Sequence, residues 1–391
     1  MNKIISLILI LLVSYNIKSQ EEKQKNWEIT GYITNMQSVQ FDSIKGTWIN
    51  DNLIHNRLNF SWFANEKWIF KIGMRNRLIT GESIKLIPDY ANFFERAEQG
   101  YIDMNWNLIN EKSVLFNTNI DRLFLQYEKR NFSATLGRQR INWGKTFAWN
   151  PNDLFNAYSF FDFDYPEKPG SDALRLQYYT GMVSSIEIAA KINNNEEITA
   201  AALWRFNKWN YDFQILAGIL NQNDYAIGGG WSGAIKNLDF KGEFTYLHPK
   251  ENIKDTTGLL IASLSVGYIF ENSLNLQFEF LYSDNSAAEI YSFEQFYYKS
   301  LTVKNLAFTK YNAFAQVGYQ ITPLLSANIS GMYYPKLNGY FLGPSFDYSF
   351  TDNLYFSFVV QAFSAELENP FTQNKQRINA TFAFLRLKWN F

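Results

Sequence analysis

The sequence alternates apolar and polar residues at every second position over runs of about ten residues, which is the period of a β-strand. In the clearest run the apolar positions are Trp68, Phe70, Ile72 and Met74, and further runs span 174–178, 238–246 and 274–282. A strand in a soluble sheet averages about 5–6 residues, whereas a tilted strand needs about 9–11 residues to cross the hydrocarbon layer of a membrane. The alternation therefore predicts membrane-crossing strands, each with one apolar and one polar face.

Tight turns and longer connections separate the predicted strands. Turn-forming residues lie at 65–66, 193–195, 271–273 and 351–353, and longer connections lie near 37–53, 78–97, 141–171, 248–257, 285–306 and 364–374. Short turns at one end and long loops at the other are typical of outer-membrane barrels. The predicted fold class is therefore all-β, as a single transmembrane antiparallel β-barrel.

The succession of connections also constrains the number of strands. The period-two pattern gives about nineteen candidate strands. The regular succession of short and long connections breaks between residues 98 and 128, so either residues 113–118 contain a turn or one early candidate lies outside the wall. Single-chain bacterial barrels have even strand numbers, which favours about eighteen strands, with about sixteen as the alternative.

Composition agrees with a barrel and excludes several other classes. Aromatic residues make up 18% of the chain, with 35 Phe, 24 Tyr and 11 Trp. A barrel places such rings in girdles at both membrane interfaces. The chain has no cysteine, which excludes disulfides, a lipoprotein anchor and thiolate metal sites. The formal net charge is −1, so there is no electrostatic case for binding nucleic acid.

The N-terminal residues 1–19 are predicted to be a cleaved signal peptide. A short positive start at Asn2 and Lys3 precedes an apolar run from Ile4 to Val13, and Ser19 offers a small residue for cleavage. The apolar run is shorter than the roughly 20 residues that a transmembrane helix needs. The segment 20–391 is therefore expected to pass through the inner membrane and to form one barrel in the outer membrane of a Gram-negative bacterium.

The C-terminal strand carries a second targeting signal. Its apolar positions alternate as Leu385, Leu387, Trp389 and Phe391, and the chain ends on the last of them. The pattern resembles the C-terminal targeting strand of outer-membrane proteins, whose terminal aromatic residue is read by the barrel-assembly machinery. This resemblance implies that Trp389 and Phe391 are targeting residues; the alternative is an ordinary amphipathic final strand.

Residues 119–180 carry the most distinctive sequence. They contain the segments DRLFLQY, GRQRINWG, NPNDLFN and PGSDALRLQYY. These segments resemble the porin-type barrels of the alginate-export and related large export-porin families. The resemblance implies a porin-like channel for diffusion or export of small polar or charged solutes. It covers only this part of the chain, and it does not indicate a particular substrate.

The connection 141–171 is expected to be folded, because its many aromatic residues and three prolines do not suit a floppy loop. The aspartates Asp153, Asp162 and Asp164 are suitable partners for the guanidinium groups of Arg138, Arg140 and Arg175. The segment is therefore predicted to lie inside or across the mouth of the barrel. Two compatible interpretations stay open: a constriction that sets the charge preference of a pore, or a latch that stiffens the wall.

A second group of charges lies earlier in the chain. Arg75 and Arg77 share a strand face with Lys67 and Lys71, where they would attract anions or pair with acidic residues such as Asp103 or Asp121; pairing is the favoured interpretation. The predicted pore-lining or constriction residues are Arg75, Arg77, Asp121, Arg122, Arg138, Arg140, Asp153, Asp162, Asp164 and Arg175.

Catalysis is disfavoured by the residues present. The chain has 2 histidines, His55 and His248, and neither has a recognisable nucleophile motif beside it, so both are interpreted as polar residues at strand ends. No histidine or cysteine pair has metal-ligand spacing, although a calcium site between the NPND and FDFD carboxylates is conceivable. We expect no enzyme activity and no cofactor. The alternative to a channel is a non-transport outer-membrane barrel for surface assembly, adhesion or barrel-enzyme chemistry.

The expected partners follow from this interpretation. They are outer-membrane lipid, the barrel-assembly machinery and small solutes. Self-association into a homo-oligomer is a further alternative, for which the sequence indicates no particular face.

Overall fold

The computed structural model describes residues 25–96, 98–251, 253–284, 301–306, 308–368 and 374–391. The predicted signal peptide lies outside the described residues, as do parts of the predicted connections 285–306 and 364–374. Among the described residues, no helix is both long and apolar enough to span a lipid bilayer.

Nineteen strands and two short α-helices make up the described part of the chain, together with two single-turn 3₁₀ helices, Val303–Asn305 and Pro335–Leu337. The strands are β1 Trp27–Phe41, β2 Ile49–Asn65, β3 Trp68–Gly81, β4 Asn105–Glu111, β5 Val114–Lys129, β6 Phe132–Gln139, β7 Ser171–Tyr179, β8 Ser185–Ile192, β9 Ile198–Lys208, β10 Tyr211–Leu220, β11 Asp224–Ile235, β12 Leu238–Pro249, β13 Leu259–Ile269, β14 Asn275–Ser283, β15 Tyr311–Thr322, β16 Leu325–Tyr334, β17 Gly339–Thr351, β18 Leu354–Glu368 and β19 Lys375–Asn390. The helices are α1 Ser83–Leu86 and α2 Tyr90–Arg96.

The strands close into one antiparallel barrel. Consecutive strands pair with one another except β3 and β4, since β3 pairs with β2 and β5; β1 pairs with β19, where Tyr32 lies opposite Asn390. The backbones of Gly31 and Phe391 exchange two hydrogen bonds of 3.0 Å at this seam. The described residues thus form a closed barrel of 18 strand positions, which confirms the predicted all-β fold and strand number.

The nineteenth strand explains the break in the predicted succession. Both β4 and β6 pair with β5, β4 along 114–119 and β6 along 123–129, on the edge that β3 does not occupy. They therefore follow one another in a single wall position. The predicted turn also exists, because β4 ends at Glu111 and β5 begins at Val114.

Burial is inverted relative to a soluble protein. In β14, Phe278 on the outer face is 50% exposed, whereas the neighbouring Glu279 on the lumen face is 0% exposed. Outer-membrane barrels present apolar side chains to lipid and polar ones to the lumen. The lumen side chains are buried here because a connection from the wall fills much of the lumen, as described below.

The connections sort onto two ends of the barrel. One end, the turn end, has short turns such as 66–67, 130–131 and 352–353; the other, the loop end, has the longer connections. The predicted connection 37–53 is shorter than expected, because β1 and β2 extend to leave only 42–48 between them. The added residues 37–41 and 49–53 are mostly polar, with apolar side chains only at Val39, Phe41, Ile49 and Leu53, so the period-two pattern is weak there.

We expect the protein to be heat-modifiable on gels. Because the ladder is closed, no free edge of the wall is available to start unfolding. A detergent sample loaded without boiling should therefore migrate differently from a boiled sample. Identical migration, in a sample whose far-ultraviolet circular dichroism lacks a strand signal, would contradict the barrel.

Candidate functional site

The connection between β6 and β7, residues 140–170, lies inside the barrel and is called the lumen loop below. Trp143 is 0% exposed and packs edge-on against Phe155, with ring centroids 4.8 Å apart. Other aromatic rings of the loop contact the opposite wall: Phe161 lies 5.0 Å from both Phe341 and Phe363. Burial of such rings removes a large apolar area from water and so contributes strongly to the stability of the folded loop. The segment predicted to be folded is therefore packed in the lumen.

Two acidic residues of the wall hold the first part of the lumen loop by its backbone. The carboxylate of Glu279 accepts hydrogen bonds from the amides of Phe147, Ala148 and Trp149, the shortest at 2.8 Å. The carboxylate of Glu243 accepts from the amide of Lys145 at 2.7 Å and from the Thr146 hydroxyl. These hydrogen bonds satisfy buried polar groups of both the wall and the loop, so the two glutamates anchor the loop by its backbone.

A third wall glutamate, Glu187 of β8, joins the loop to two wall arginines. The indole nitrogen of Trp143 donates to Glu187 Oε1 at 2.6 Å. Arg175 forms a bidentate ion pair with the same carboxylate at 2.7 and 2.9 Å, and Arg205 approaches it at 3.1 Å. The loop therefore enters the lumen beside a cluster in which one carboxylate meets two guanidinium groups, so the cluster keeps one net positive charge.

The last part of the loop meets charges on β2 and β5. Arg57 forms a bidentate ion pair with Asp121 at 2.7 and 2.9 Å, and both side chains are almost completely buried. The Tyr165 hydroxyl also donates to Asp121, and Glu167 lies 3.6 Å from the guanidinium of Arg57. Since isolated buried charges are very unfavourable, this part of the loop is fixed by mutual neutralisation.

His55 connects the loop to β3. Its Nδ1 lies 2.9 Å from Asp164 Oδ2, and Arg75 Nε donates to its Nε2 at 3.0 Å. An arginine can only donate, so Nε2 accepts and Nδ1 carries the proton donated to Asp164. The expectation that His55 is a polar residue at a strand end is therefore wrong: it is 0% exposed inside the lumen. His248 does lie at the end of its strand, β12.

The expected partners of the arginines differ from those observed. Arg138 pairs with Asp172 at 2.7 Å and Glu98 at 2.8 Å, and Arg175 pairs with Glu187, so neither meets a loop aspartate. The strand register explains this, because Arg138 lies directly opposite Asp172 on β7. Arg140 lies over the ring of Tyr158, and its Nε has no hydrogen-bond partner.

The loop aspartates occupy three different environments. Asp164 does meet arginines, Arg75 at 4.0 Å and Arg386 at 3.7 Å. Asp162 is exposed toward the loop end. Asp153 is completely buried, accepts a long hydrogen bond from the Trp143 amide, and has one oxygen without a partner. Burial raises the pKa of this carboxyl to about 7.

The early basic group is also arranged differently from the expectation. Asp121 pairs with Arg57 rather than with Arg75 or Arg77. Arg75 lies over the Tyr165 ring at 4.0 Å, and Arg77 donates to the Asn117 side chain and lies over Phe94.

Asp103, the other acidic residue expected to pair with these arginines, instead accepts a hydrogen bond from the Asn105 amide. Arg122 donates to the backbone carbonyls of Asp121, Glu167 and Lys168, so it also fixes the end of the loop.

A cavity of about 520 Å³ lies between the lumen loop and the wall at the loop end. Its lining includes the cationic residues Arg75, Arg77, Arg138, Lys168, Lys191 and Lys304 and the acidic residues Glu98, Asp121, Asp162 and Asp224. A charged, concave space of this size suits a small polar solute. Five of the ten predicted pore-lining residues contribute to it: Arg75, Arg77, Asp121, Arg138 and Asp162.

No cluster of three or more histidine, aspartate or glutamate side chains with metal-binding geometry occurs in the part of the chain that the structure describes. The carboxylates of the NPND and FDFD segments lie in separate environments, as described above for Asp153, Asp162 and Asp164.

Sequence reasoning missed the residues that hold the loop: Arg57, Glu187, Glu243 and Glu279. Each lies on the polar face of an alternating strand, where a charged residue is unremarkable. Their full burial could have been anticipated only by knowing which connection enters the lumen.

The barrel is similar to solved outer-membrane porins. It matches OccAB2 of Acinetobacter baumannii with a TM-score of 0.60 at 10% identity, over 94% of this chain and 98% of that chain. It matches OccAB1 of the same organism at 0.58 and 10% identity, over 96% and 100%, and OpdQ of Pseudomonas aeruginosa at 0.56 and 8% identity, over 95% and 99%. At such low identity the likeness shows the fold alone. No family model and no curated protein matches the chain.

Proposed function

We propose that the protein is a porin-like channel of the Gram-negative outer membrane, through which small polar or charged solutes cross by diffusion or export. The observation that carries this proposal is the charged cavity between the lumen loop and the wall. A loop that is fixed inside a barrel narrows the lumen to a constriction of defined shape. It does not move across the remaining space as a mobile loop would. Rings of opposed charge at such a constriction set which solutes pass.

The finer parts of the proposal rest on sequence. The resemblance of residues 119–180 to the alginate-export families supports an export porin, and residues 1–19 support secretion by a cleaved signal peptide. The outward apolar side chains suit outer-membrane lipid. We further propose that the barrel-assembly machinery recognises the C-terminal strand. Self-association into a homo-oligomer is a secondary part of the proposal.

The direct test is conductance of the refolded protein in a planar bilayer. Discrete conductance steps, with a reversal potential that responds to a salt gradient, are expected for a channel. A protein that is heat-modifiable, and therefore folded, but never conducts would contradict the proposal and favour a non-transport barrel.

We expect replacement of Phe391 by alanine to lower the amount of assembled barrel without lowering synthesis. The ring of Phe391 faces outward, and its backbone closes the seam with Gly31. Alanine keeps the backbone pairing and removes only the ring, whereas Phe391→Tyr keeps an aromatic terminus as the matched control. The measurement is the outer-membrane level relative to total protein. Equal levels for the alanine and tyrosine variants would exclude the terminal ring as the targeting signal.

A further inference from the structure

Three adjacent strands are too short to complete the wall. The strands β6, β7 and β8 contain 8, 9 and 8 residues, whereas β2 and β5 contain 17 and 16. Eight residues that rise about 3.3 Å each, tilted by about 40°, climb roughly 20 Å, which is less than the apolar band of about 25 Å. At the loop end, other parts of the chain must therefore close this sector at membrane depth.

Only one of the three positions is continued by a strand. Above β6 the wall continues as β4, whose other edge pairs with no strand among the described residues. Above β7 there is no strand, because the chain reaches Ser171 from inside the lumen. Residues 98–104, called the bridging segment below, fill this gap. Among the described residues they meet the connection between β8 and β9 through one bridge, Gly100 to Asn193, and through hydrogen bonds that Asn194 donates to the carbonyls of Gln99 and Glu98.

The bridging segment is held mainly by hydrogen bonds from side chains rather than by a β-ladder of backbone hydrogen bonds. Arg138, which is 2% exposed, donates to Glu98 at 2.8 Å and to the Ile102 carbonyl at 2.5 Å. It also forms a bidentate pair with Asp172, whose Oδ2 accepts from the Ile102 amide at 3.0 Å. A Cβ on Gly100 would lie 1.8 Å from the guanidinium, so this approach requires glycine. Irregular backbone at membrane depth is tolerated only where it is satisfied in this way.

The bridging segment separates the cavity from the outside of the barrel. Glu98, Gln99 and Arg138 line the cavity on its inner side. On its outer side, Tyr101 and Ile102 are 53% and 56% exposed, as expected for residues facing the membrane interface. In this sector a single irregular layer therefore separates the cavity from the outside of the barrel.

We propose that the bridging segment is a side port, through which small amphipathic solutes pass between the membrane and the cavity. Opening it requires release of the Arg138 cluster, the Gly100–Asn193 bridge and the hydrogen bonds donated by Asn194, whereas the neighbouring strands of the described wall are joined by β-ladders. The cavity suits such a solute, since Phe94 and Tyr158 offer apolar surface beside cationic and acidic groups. This route goes beyond the proposed conduction of solutes through the mouth and does not depend on it.

The absence of cysteine allows the side port to be locked and observed selectively. Ser159 lines the cavity, so Ser159→Cys places a fluorophore there when it is labelled with bimane while the two cysteines of the lock described next are oxidised and cannot react. A second pair of substitutions, Gln99→Cys and Asn194→Cys, forms the lock. The Asn194 amide donates to the Gln99 carbonyl at 3.2 Å, and antiparallel bonded pairs have a Cα separation of about 5.5 Å, within the range of a disulfide.

The probe is a doxyl-labelled fatty acid, which partitions into the bilayer and quenches bimane on contact. In proteoliposomes we expect strong quenching with the lock reduced, a several-fold weaker effect with the lock oxidised, and full recovery after reduction. The reduced triple variant is the matched control, and gel migration before and after boiling verifies that each form is folded.

Aqueous iodide distinguishes the side port from entry through the mouth. We expect iodide to quench the fluorophore equally with the lock oxidised and reduced, because it enters from the aqueous end. Equal doxyl quenching in both states, or none in either while iodide quenches, would overturn the side port. Neither result bears on conductance, so failure of this inference is distinguishable from failure of the proposed channel.

Discussion

A channel that carries glutamine in place of both Glu243 and Glu279 is expected to conduct more, and with larger current fluctuations, than the parent protein. Glutamine keeps the size of the side chain but replaces one carboxylate oxygen with an amide donor. Because the two oxygens of Glu279 accept from three loop amides, an amide group there faces another donor. At Glu243 the same holds where the side chain meets the amide of Lys145. The lumen loop should then detach from β12 and β14 for part of the time.

The expected size of the effect follows from the strength of these contacts. A buried donor or acceptor that is left without its hydrogen-bond partner costs about 1–3 kcal/mol. A loss of even about 3 kcal/mol shifts the balance between attached and detached loop by roughly a hundredfold. We therefore expect single-channel recording in planar bilayers to show a large difference in conductance between the double variant and the parent.

The matched control is Glu128→Gln. Glu128 is exposed near the turn end and interacts with the Gln126 side chain, so the substitution removes a carboxylate without touching the lumen loop. Its conductance should stay close to that of the parent. If the double variant remains folded and shows neither higher conductance nor greater fluctuation, the lumen loop does not limit permeation.

The wall was predictable from sequence because its determinants are local. Each strand residue has lipid on one side and the lumen on the other, so the requirement for alternation at positions such as 68–74 does not depend on distant contacts. The same reasoning placed a folded segment at 141–171, since its aromatic residues needed a surface to pack against. The packing surface itself, including Phe341 and Phe363, lies far along the chain.

The charge pairing was not predictable, because it depends on strand register and on the path of the lumen loop. Arg138 meets Asp172 since the ladder places them opposite one another, and no spacing in the sequence fixes that register. Glu279 and Glu128 both occupy polar faces of alternating strands, yet one anchors the loop and the other is exposed. His55 was misassigned for the same reason, because its partner Asp164 arrives from a loop more than a hundred positions away.

Replacing Arg57 with methionine is expected to destabilise the barrel strongly. The substitution leaves Asp121 buried without its bidentate partner, and Glu167 loses its neighbouring guanidinium. Removal of one partner of a buried ion pair costs about 3–5 kcal/mol. The apparent melting temperature in detergent, measured by circular dichroism at a fixed heating rate, should therefore fall clearly below that of the parent.

A second substitution separates the loss of charge balance from the loss of packing. In the double variant Arg57→Met and Asp121→Asn, no buried charge remains at position 121, while the amide oxygen still accepts from the Tyr165 hydroxyl. Much of the lost stability should return, because an unpaired buried charge is the main penalty. If the double variant melts no higher than the single variant, packing of the Arg57 side chain rather than neutralisation of Asp121 holds this part of the loop.

The single variant should also change the selectivity of the pore. Asp121 lines the cavity, so an uncompensated carboxylate there should make the pore more selective for cations. The reversal potential measured under a salt gradient should shift accordingly. The shift should weaken near 1 M salt, where the screening length falls to about 3 Å. The double variant should behave like the parent, since it loses one positive and one negative charge and its net charge is unchanged. A folded single variant with the selectivity of the parent would place Asp121 outside the permeation path, even if its stability falls as expected.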